Sequence, residues 1–109
     1  MQDDSENAFS KDTIRPLVVR SLRRSNVRKK IADYLFDITP SGSYTSEIAY
    51  NVKTTPTNVI GAIRGMGNRY KNDESLIELK IVEQVDTNSN IKIYKLTDFG
   101  KEIISNMRK

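Results

Sequence analysis

The sequence predicts a small α+β domain that is mostly helical, and three observations support this fold class. Apolar residues recur at helical spacing in several segments of the chain. Two of the short helices so predicted are separated only by the three residues 53–55, which is the spacing of a helix-turn-helix. Two segments in which apolar and polar residues alternate flank the polar residues 88–90 and predict a β-hairpin.

Length and composition exclude several classes of protein. The 109 residues, 37% of them hydrophobic, suffice for one domain with one core. The absence of cysteine and histidine excludes disulfides, thiolate nucleophiles, Cys/His zinc sites and histidine acid–base catalysis. No apolar run approaches the ~20 residues of a membrane span, and the polar N-terminus is not a signal peptide. We therefore expect a cytoplasmic protein without cofactor, metal or membrane partner.

The net charge of +4 is unevenly distributed. Residues 1–12 carry −3 and predict a flexible acidic tail, whereas the domain at 13–109 carries +7. The segment 15–30 has no acidic residue and seven basic ones, Arg15, Arg20, Arg23, Arg24, Arg28, Lys29 and Lys30. Such a cluster indicates either a polyanionic partner or an ordinary solvated surface, and charge alone does not decide between them.

The N-terminal half contains the predicted helix starts. Residues 14–22 are apolar enough for a short strand or a helical turn, and the spacing of their apolar residues does not distinguish the two. Either Ser25 or Asn26 can cap the next helix, which should stop before Pro40. Thr45 is the predicted cap of the third helix.

The fourth helix is predicted to begin with Thr55 as its cap and Pro56 in its first turn. The C-terminal half then continues with a short helix or turn at 75–80 and the hairpin. A last helix follows, capped by Thr97 or Asp98.

The stretch "EIAYNVKTTPTNVIGAIRGM" resembles the helix-turn-helix of archaeal and bacterial winged-helix regulators of the MarR/ArsR type. "SLIELKIVEQVD" and "IKIYKLTDFGKEI" are similar to the family's "L-x-x-L-G-L-V…Y-x-L-T-x-x-G". The resemblance covers about residues 25–106 and is nearest to small archaeal predicted regulators. The sequence departs from the family pattern in three places. Lys53 and Lys80 stand where family members commonly have glycine, and the loop 67–74 is longer than usual.

The resemblance implies a winged helix-turn-helix, with a three-helix core, a β-hairpin wing and a C-terminal helix. Its parts fall at about 44–67 for the helix-turn-helix, 82–97 for the wing and 98–108 for the last helix.

The function implied is that of a sequence-specific transcriptional regulator that places a recognition helix at 55–67 in the major groove of double-stranded DNA. In that groove Arg64 would read guanine, Asn58 adenine, and Thr57 a phosphate or a thymine methyl group. The predicted DNA-binding residues are Arg28, Lys29, Thr55, Thr57, Asn58, Gly61, Arg64, Asn68, Arg69, Lys71, Asn88, Asn90 and Lys92. For the wing residues among them, a plain hairpin turn is an equal alternative.

Three glycines interrupt the predicted recognition helix, and each interior glycine costs a helix about 1 kcal/mol relative to alanine. Gly61 and Gly65 either let the backbone approach DNA or let helices pack closely, and the sequence leaves this open. We interpret Gly67 as the residue that ends the helix.

Enzymatic function is not expected, because no phosphate-binding loop, metal cluster or supported acid–base pair is present. The alternative to DNA binding is a winged-helix protein-interaction module in a larger complex. DNA is favoured by the basic cluster at 15–30 and by a recognition face that carries Arg64 and no acidic residue. The recognition helix is also expected to expose no large apolar residue, as a protein-docking face more often does. We also expect a homodimer that uses apolar surface of 14–22 or the last helix, and an effector ligand remains unknown.

Overall fold

The computed structural model describes residues 11–66 and 72–109 as an α+β fold that is mostly helical. Its elements are α1 (Lys11–Arg24), α2 (Asn26–Ile38), α3 (Thr45–Val52), α4 (Pro56–Arg64), a short 3-10 helix (Asn72–Glu74), β1 (Val82–Asp86), β2 (Lys92–Leu96) and α5 (Asp98–Met107). The prediction of a small α+β domain with a hairpin is confirmed. No helix in these two ranges is long and apolar enough to cross a membrane.

Helix α1 settles the segment whose period was ambiguous. Its residues Ile14, Val18 and Leu22 are spaced four apart and are all buried, so they form one stripe against the core. The helix begins at Lys11, and the end of the predicted tail is therefore already helical, whereas residues 1–10 lie outside the described residues.

The start of α2 agrees with the predicted capping, and the start of α3 does not. The Oγ of Ser25 accepts a hydrogen bond from the N–H of Arg28 at 3.1 Å, so Ser25 rather than Asn26 is the cap. Thr45 was expected to cap α3 but is its first residue. Tyr44 holds the N-cap position and makes no side-chain capping bond.

Helix α2 lies at the centre of the fold. It packs against the four other helices and β2, and its Ile31, Ala32 and Leu35 are fully buried. Helices α3 and α4 cover one side of it, while α1 and α5 also contact it. The hydrophobic core is thus shared by all helices and by the inner face of the hairpin.

The hairpin pairs β1 with β2 in antiparallel register, from Val82 opposite Leu96 to Asp86 opposite Lys92. Tyr94 and Leu96 face the core, as the alternation predicts. A contact that the sequence did not predict fixes this hairpin to the start of α3. Ser43 and Tyr94 exchange two backbone hydrogen bonds of 2.9 and 2.8 Å.

Glycine is required beside this contact. A Cβ atom at Gly42 would lie 2.5 Å from Cγ2 of Ile93 and 2.9 Å from the carbonyl oxygen of Tyr94. No side chain fits such a gap without displacing β2, so Gly42 permits the close approach of the two segments.

The "T-D-F-G" stretch is structural. Oγ1 of Thr97 accepts the N–H of Gly100 at 2.9 Å and donates to the carbonyl of Lys80 at 2.6 Å, so Thr97 caps α5. A Cβ at Gly100 would overlap the carbonyl of Ile81. This part of the family pattern therefore joins α5 to the base of the hairpin.

Two lysines hold a backbone conformation that glycine adopts at less cost. Lys53 has φ 61° and Lys80 has φ 65°, and they are the only non-glycine residues with positive φ in the described ranges. These are the two positions at which the winged-helix pattern commonly has glycine. The departures noted in the sequence thus coincide with backbone strain.

Candidate nucleic-acid interface

Helices α3 and α4 form a tight helix-turn-helix with the predicted three-residue connection. The backbone N–H groups of Lys53 and Thr54 both donate to the carbonyl of Ala49, which ends α3. Oγ1 of Thr55 then accepts the N–H of Asn58 at 3.1 Å, and Pro56 occupies the first turn. The predicted start of α4 is confirmed.

The end of α4 differs from the prediction. The helix stops at Arg64, because Gly65 has φ 90° and leaves the helical conformation while its N–H bonds to the carbonyl of Gly61 at 2.8 Å. Gly65 therefore ends the helix, the assignment to Gly67 was wrong, and Gly67 itself lies outside the described residues. Met66 is half-buried beyond the helix.

The chain returns to α4 after the gap and fixes its C-terminal end. The N–H groups of Leu76 and Ile77 donate to the carbonyls of Ala62 and Ile63 at 3.1 and 3.0 Å. Carbonyls in the last turn of a helix lack partners within it, so these bonds complete α4 and orient it.

The outward face of α4 carries Thr57, Ile60 and Arg64, all exposed and spaced as one stripe. The opposite face buries Val59 and Ile63 completely. The sequence analysis placed Thr57 and Arg64 correctly but missed Ile60, which is 41% exposed. The expectation that this helix exposes no large apolar residue was wrong.

Two predicted contact residues of α4 face other neighbours. Asn58 is half-buried, and its Nδ2 donates to Oγ1 of Thr54 at 3.0 Å, so reading adenine would require this bond to break. Gly61 is buried, which favours helix packing over a backbone approach to DNA. The burial of Gly61 therefore argues against its predicted contact with DNA.

Arg28 is the clearest correction to the predicted basic surface. It is only 4% exposed, and its guanidinium forms an ion pair with Glu74 at 3.4 Å. Such a side chain stabilises the fold and is not available to a phosphate. Its position was visible in the sequence, because Arg28 precedes Ile31 and Leu35 at helical spacing on the apolar stripe of α2.

The rest of the basic cluster is partly neutralised. Arg15 pairs with Glu102, Arg24 with Glu74, and Lys29 with Asp33, each at 3.0 to 3.1 Å. Within the described ranges no ion pair involves the exposed residues Arg20, Arg23 and Lys30. Lys29 remains exposed despite its partner.

The hairpin tip is polar and exposed at Asn88 and Asn90. Oγ1 of Thr87 donates to the carbonyl of Ile91 at 2.9 Å and closes the loop. Lys92 is exposed and forms an ion pair with Asp86 at 3.5 Å. The predicted contacts Asn68, Arg69 and Lys71 lie outside the described residues.

Tyr50 is a further exposed residue that the sequence analysis missed. It lies on α3 with 83% of its surface exposed, more than any other large apolar residue that the structure describes. Little in the sequence indicated that Tyr50 is exposed, because a tyrosine next to the buried Ala49 could equally belong to the apolar stripe of the helix.

The comparisons with known proteins establish the family of this chain. The EarA-like family model matches residues 18–107, from the second half of α1 to the end of α5. The chain belongs to the EarA-like family. The uncharacterized protein MJ0905 of Methanocaldococcus jannaschii is 48% identical to it over 91 residues, which cover 84% of this chain and 81% of the relative.

The resemblance to archaeal proteins thus agrees with an archaeal relative, whereas the relation to MarR and ArsR regulators stays a prediction. No solved structure gives a significant match to this EarA-like chain.

Proposed function

We propose that this protein is a sequence-specific transcriptional regulator of the winged-helix type that binds double-stranded DNA with α4 in the major groove. The observation that carries the proposal is the outward stripe of α4, in which Thr57 and Arg64 are exposed while the inward face is buried. A major groove about 12 Å wide admits a single α-helix presented in this way.

Arg64 is the residue best suited to base recognition. It is exposed in the last turn of α4, and no ion pair within the described ranges involves it. Its planar guanidinium can donate two hydrogen bonds to O6 and N7 of guanine, which is worth about 1–3 kcal/mol of base discrimination. Thr57, near the helix start, is suited to a phosphate or a thymine methyl group.

The electrostatics of the domain support a polyanionic partner. Residues 13–109 carry a net charge of +7, and the helix-turn-helix from 44 to 66 holds one acidic residue, Glu47. Its carboxylate accepts a hydrogen bond from Ser43. Arg20 and Lys30 are further candidates for the phosphate backbone.

The hairpin is proposed as the wing. Its strand β2 is tied to the start of α3 through Ser43 and Tyr94, so the tip at Asn88 and Asn90 holds a fixed position relative to the helix-turn-helix. Lys92 near the tip adds one positive charge. A polar tip with one nearby positive charge is suited to a few contacts with the DNA backbone.

We further propose a homodimer, because palindromic sites are read by two recognition helices about one turn apart. A groove between α1 and α5 remains uncovered in the single chain. It is lined by Arg15, Val19, Arg23, Ile103, Asn106 and Met107. A regulator of this kind acts in the cytoplasm.

The test is fluorescence anisotropy with mixed-sequence duplex DNA at several salt concentrations. We expect the logarithm of the binding constant to fall linearly with the logarithm of the salt concentration, because binding releases counterions from the DNA. Sites selected from a random library should bind Arg64→Ala and Arg64→Lys more weakly than wild type. Arg64→Lys keeps the charge but loses the bidentate geometry, so it should retain mixed-sequence binding and lose base preference.

A folded protein that shows no binding at low salt would contradict the proposal. So would an Arg64→Ala variant that keeps the wild-type base preference at every position.

The second candidate is a protein-interaction module, and the exposed side chains of the helix-turn-helix favour it. Tyr44 and Tyr50 are exposed, and aromatic residues are enriched where proteins bind one another. A Tyr50→Ala variant that binds DNA normally but loses a protein partner would identify this function.

A further inference from the structure

Ile60 occupies the middle of the outward face of α4, where a base-reading helix would contact the DNA. We propose that Ile60 contacts the 5-methyl group of thymine, so that the recognised site contains a thymine close to the guanine read by Arg64. This inference rests on the proposed DNA-binding function and adds a base to the recognised site.

The chemistry of the groove identifies the ligand group. The major-groove edges of the bases offer hydrogen-bond donors and acceptors and one apolar group, the 5-methyl of thymine. Ile60 cannot form side-chain hydrogen bonds, and 41% of its surface is exposed. In a major groove, the thymine methyl is therefore the group that it can contact favourably.

The helix geometry sets the spacing of the two bases. Ile60 and Arg64 are one turn apart, which corresponds to about 6 Å along the helix axis at ~1.5 Å per residue. Base pairs are stacked about 3.4 Å apart. A helix that follows the groove would thus place the thymine about one or two base pairs from the guanine.

The neighbours of Ile60 fit this role better than a protein-docking role on this face. Thr57 and Arg64 flank it on the stripe, and both are exposed polar residues. A single isoleucine between a hydroxyl and a guanidinium is not a continuous apolar patch of the kind that binds proteins.

The experiment replaces single methyl groups in the DNA. A duplex is selected from a random library with wild-type protein, and each thymine in turn is replaced by uracil, which lacks only the methyl group. One uracil within two base pairs of an essential guanine should lower the affinity about fourfold, which is the loss expected when one buried methyl group is removed. Uracil elsewhere should have no effect, except at a thymine that Thr57 contacts, where Thr57→Ala abolishes the difference.

The Ile60→Ala variant provides the matched comparison. Its exposed position and the helix propensity of alanine keep α4 folded, which circular dichroism checks. We expect it to bind the thymine duplex and the uracil duplex with equal affinity. Thr57→Ala is the control on the same stripe. It should still bind the thymine duplex more tightly than the uracil duplex at the base that Ile60 contacts.

Two results would overturn the inference in distinguishable ways. Wild-type protein that binds the selected duplex with equal affinity after every uracil replacement would refute the role of Ile60 alone. Absence of any salt-dependent DNA binding would refute the proposed function and this inference together.

Discussion

Replacing Lys53 by glycine is expected to stabilise the protein, although it removes a complete side chain. Lys53 has φ 61° and ψ 52° at the end of α3, where an L-residue with a Cβ atom is strained. The left-handed conformation costs such a residue about 1–2 kcal/mol. Glycine removes this strain but adds about 0.4–1 kcal/mol of conformational entropy to the unfolded chain.

The difference between these two effects gives the expected magnitude. Lys53→Gly should raise the free energy of unfolding by about 0.5–1 kcal/mol, which corresponds to a Tm increase of roughly 2–6 °C for a domain of this size. Lys80→Gly, at φ 65°, should give a change of the same sign. Urea unfolding followed by circular dichroism measures both, and the m-value should not change.

Lys30→Gly is the matched control. Lys30 is exposed within α2 and has helical backbone angles, so the same substitution should destabilise the protein by about 1 kcal/mol. A second comparison is Lys53→Asn, because asparagine tolerates the left-handed region better than lysine and should fall between lysine and glycine. A Lys53→Gly protein no more stable than wild type would refute the reasoning.

Two further predictions concern the ion pair at Glu74 and the proposed dimer. Glu74→Gln should lower the free energy of unfolding, measured in urea, by about 2–3 kcal/mol, because the substitution leaves Arg28 buried with a weaker partner. The control Asp86→Asn, which breaks an exposed ion pair, should change the free energy of unfolding by less than about 1 kcal/mol. Equal losses in the two variants would contradict this account. Sedimentation at high micromolar concentration should give a dimer mass for wild type and a monomer mass for Val19→Glu, which places a charge in the groove between α1 and α5, with Val85→Glu as the exposed apolar control. A concentration-independent monomer mass for wild type would contradict the dimer.

Local signals in the sequence predicted most of the elements. The caps at Thr55 and Thr97 are side-chain bonds to residues three positions away, so short motifs contain the whole interaction. Helix α1 was ambiguous because Leu17 and Val19 lie next to Val18 and blur the four-residue spacing of its buried stripe. The bridge between Ser43 and Tyr94 joins distant segments, and no local pattern encodes it.

The exposure of the candidate site residues was predicted in part. Thr57 and Arg64 were placed correctly because their polarity and helical spacing both put them opposite the apolar stripe. Ile60 was missed because it follows the buried Val59, and an isoleucine in a short helix is ordinarily part of the core. Helical spacing places Arg28 on the apolar stripe of α2, but its ion-pair partner Glu74 lies 46 positions away, and no local pattern connects the two residues.

The hydrogen bonds at the end of α4 also determine how this protein can adjust to a partner. Leu76 donates its N–H to Ala62 at the end of α4, and its carbonyl accepts the N–H groups of Ile81 and Val82 at the base of β1. A single peptide segment thus couples the helix to the hairpin mechanically, so in the proposed DNA complex the two are expected to move as one rigid body. In the proposed dimer, any variation in the distance between half-sites would then be absorbed where the subunits meet.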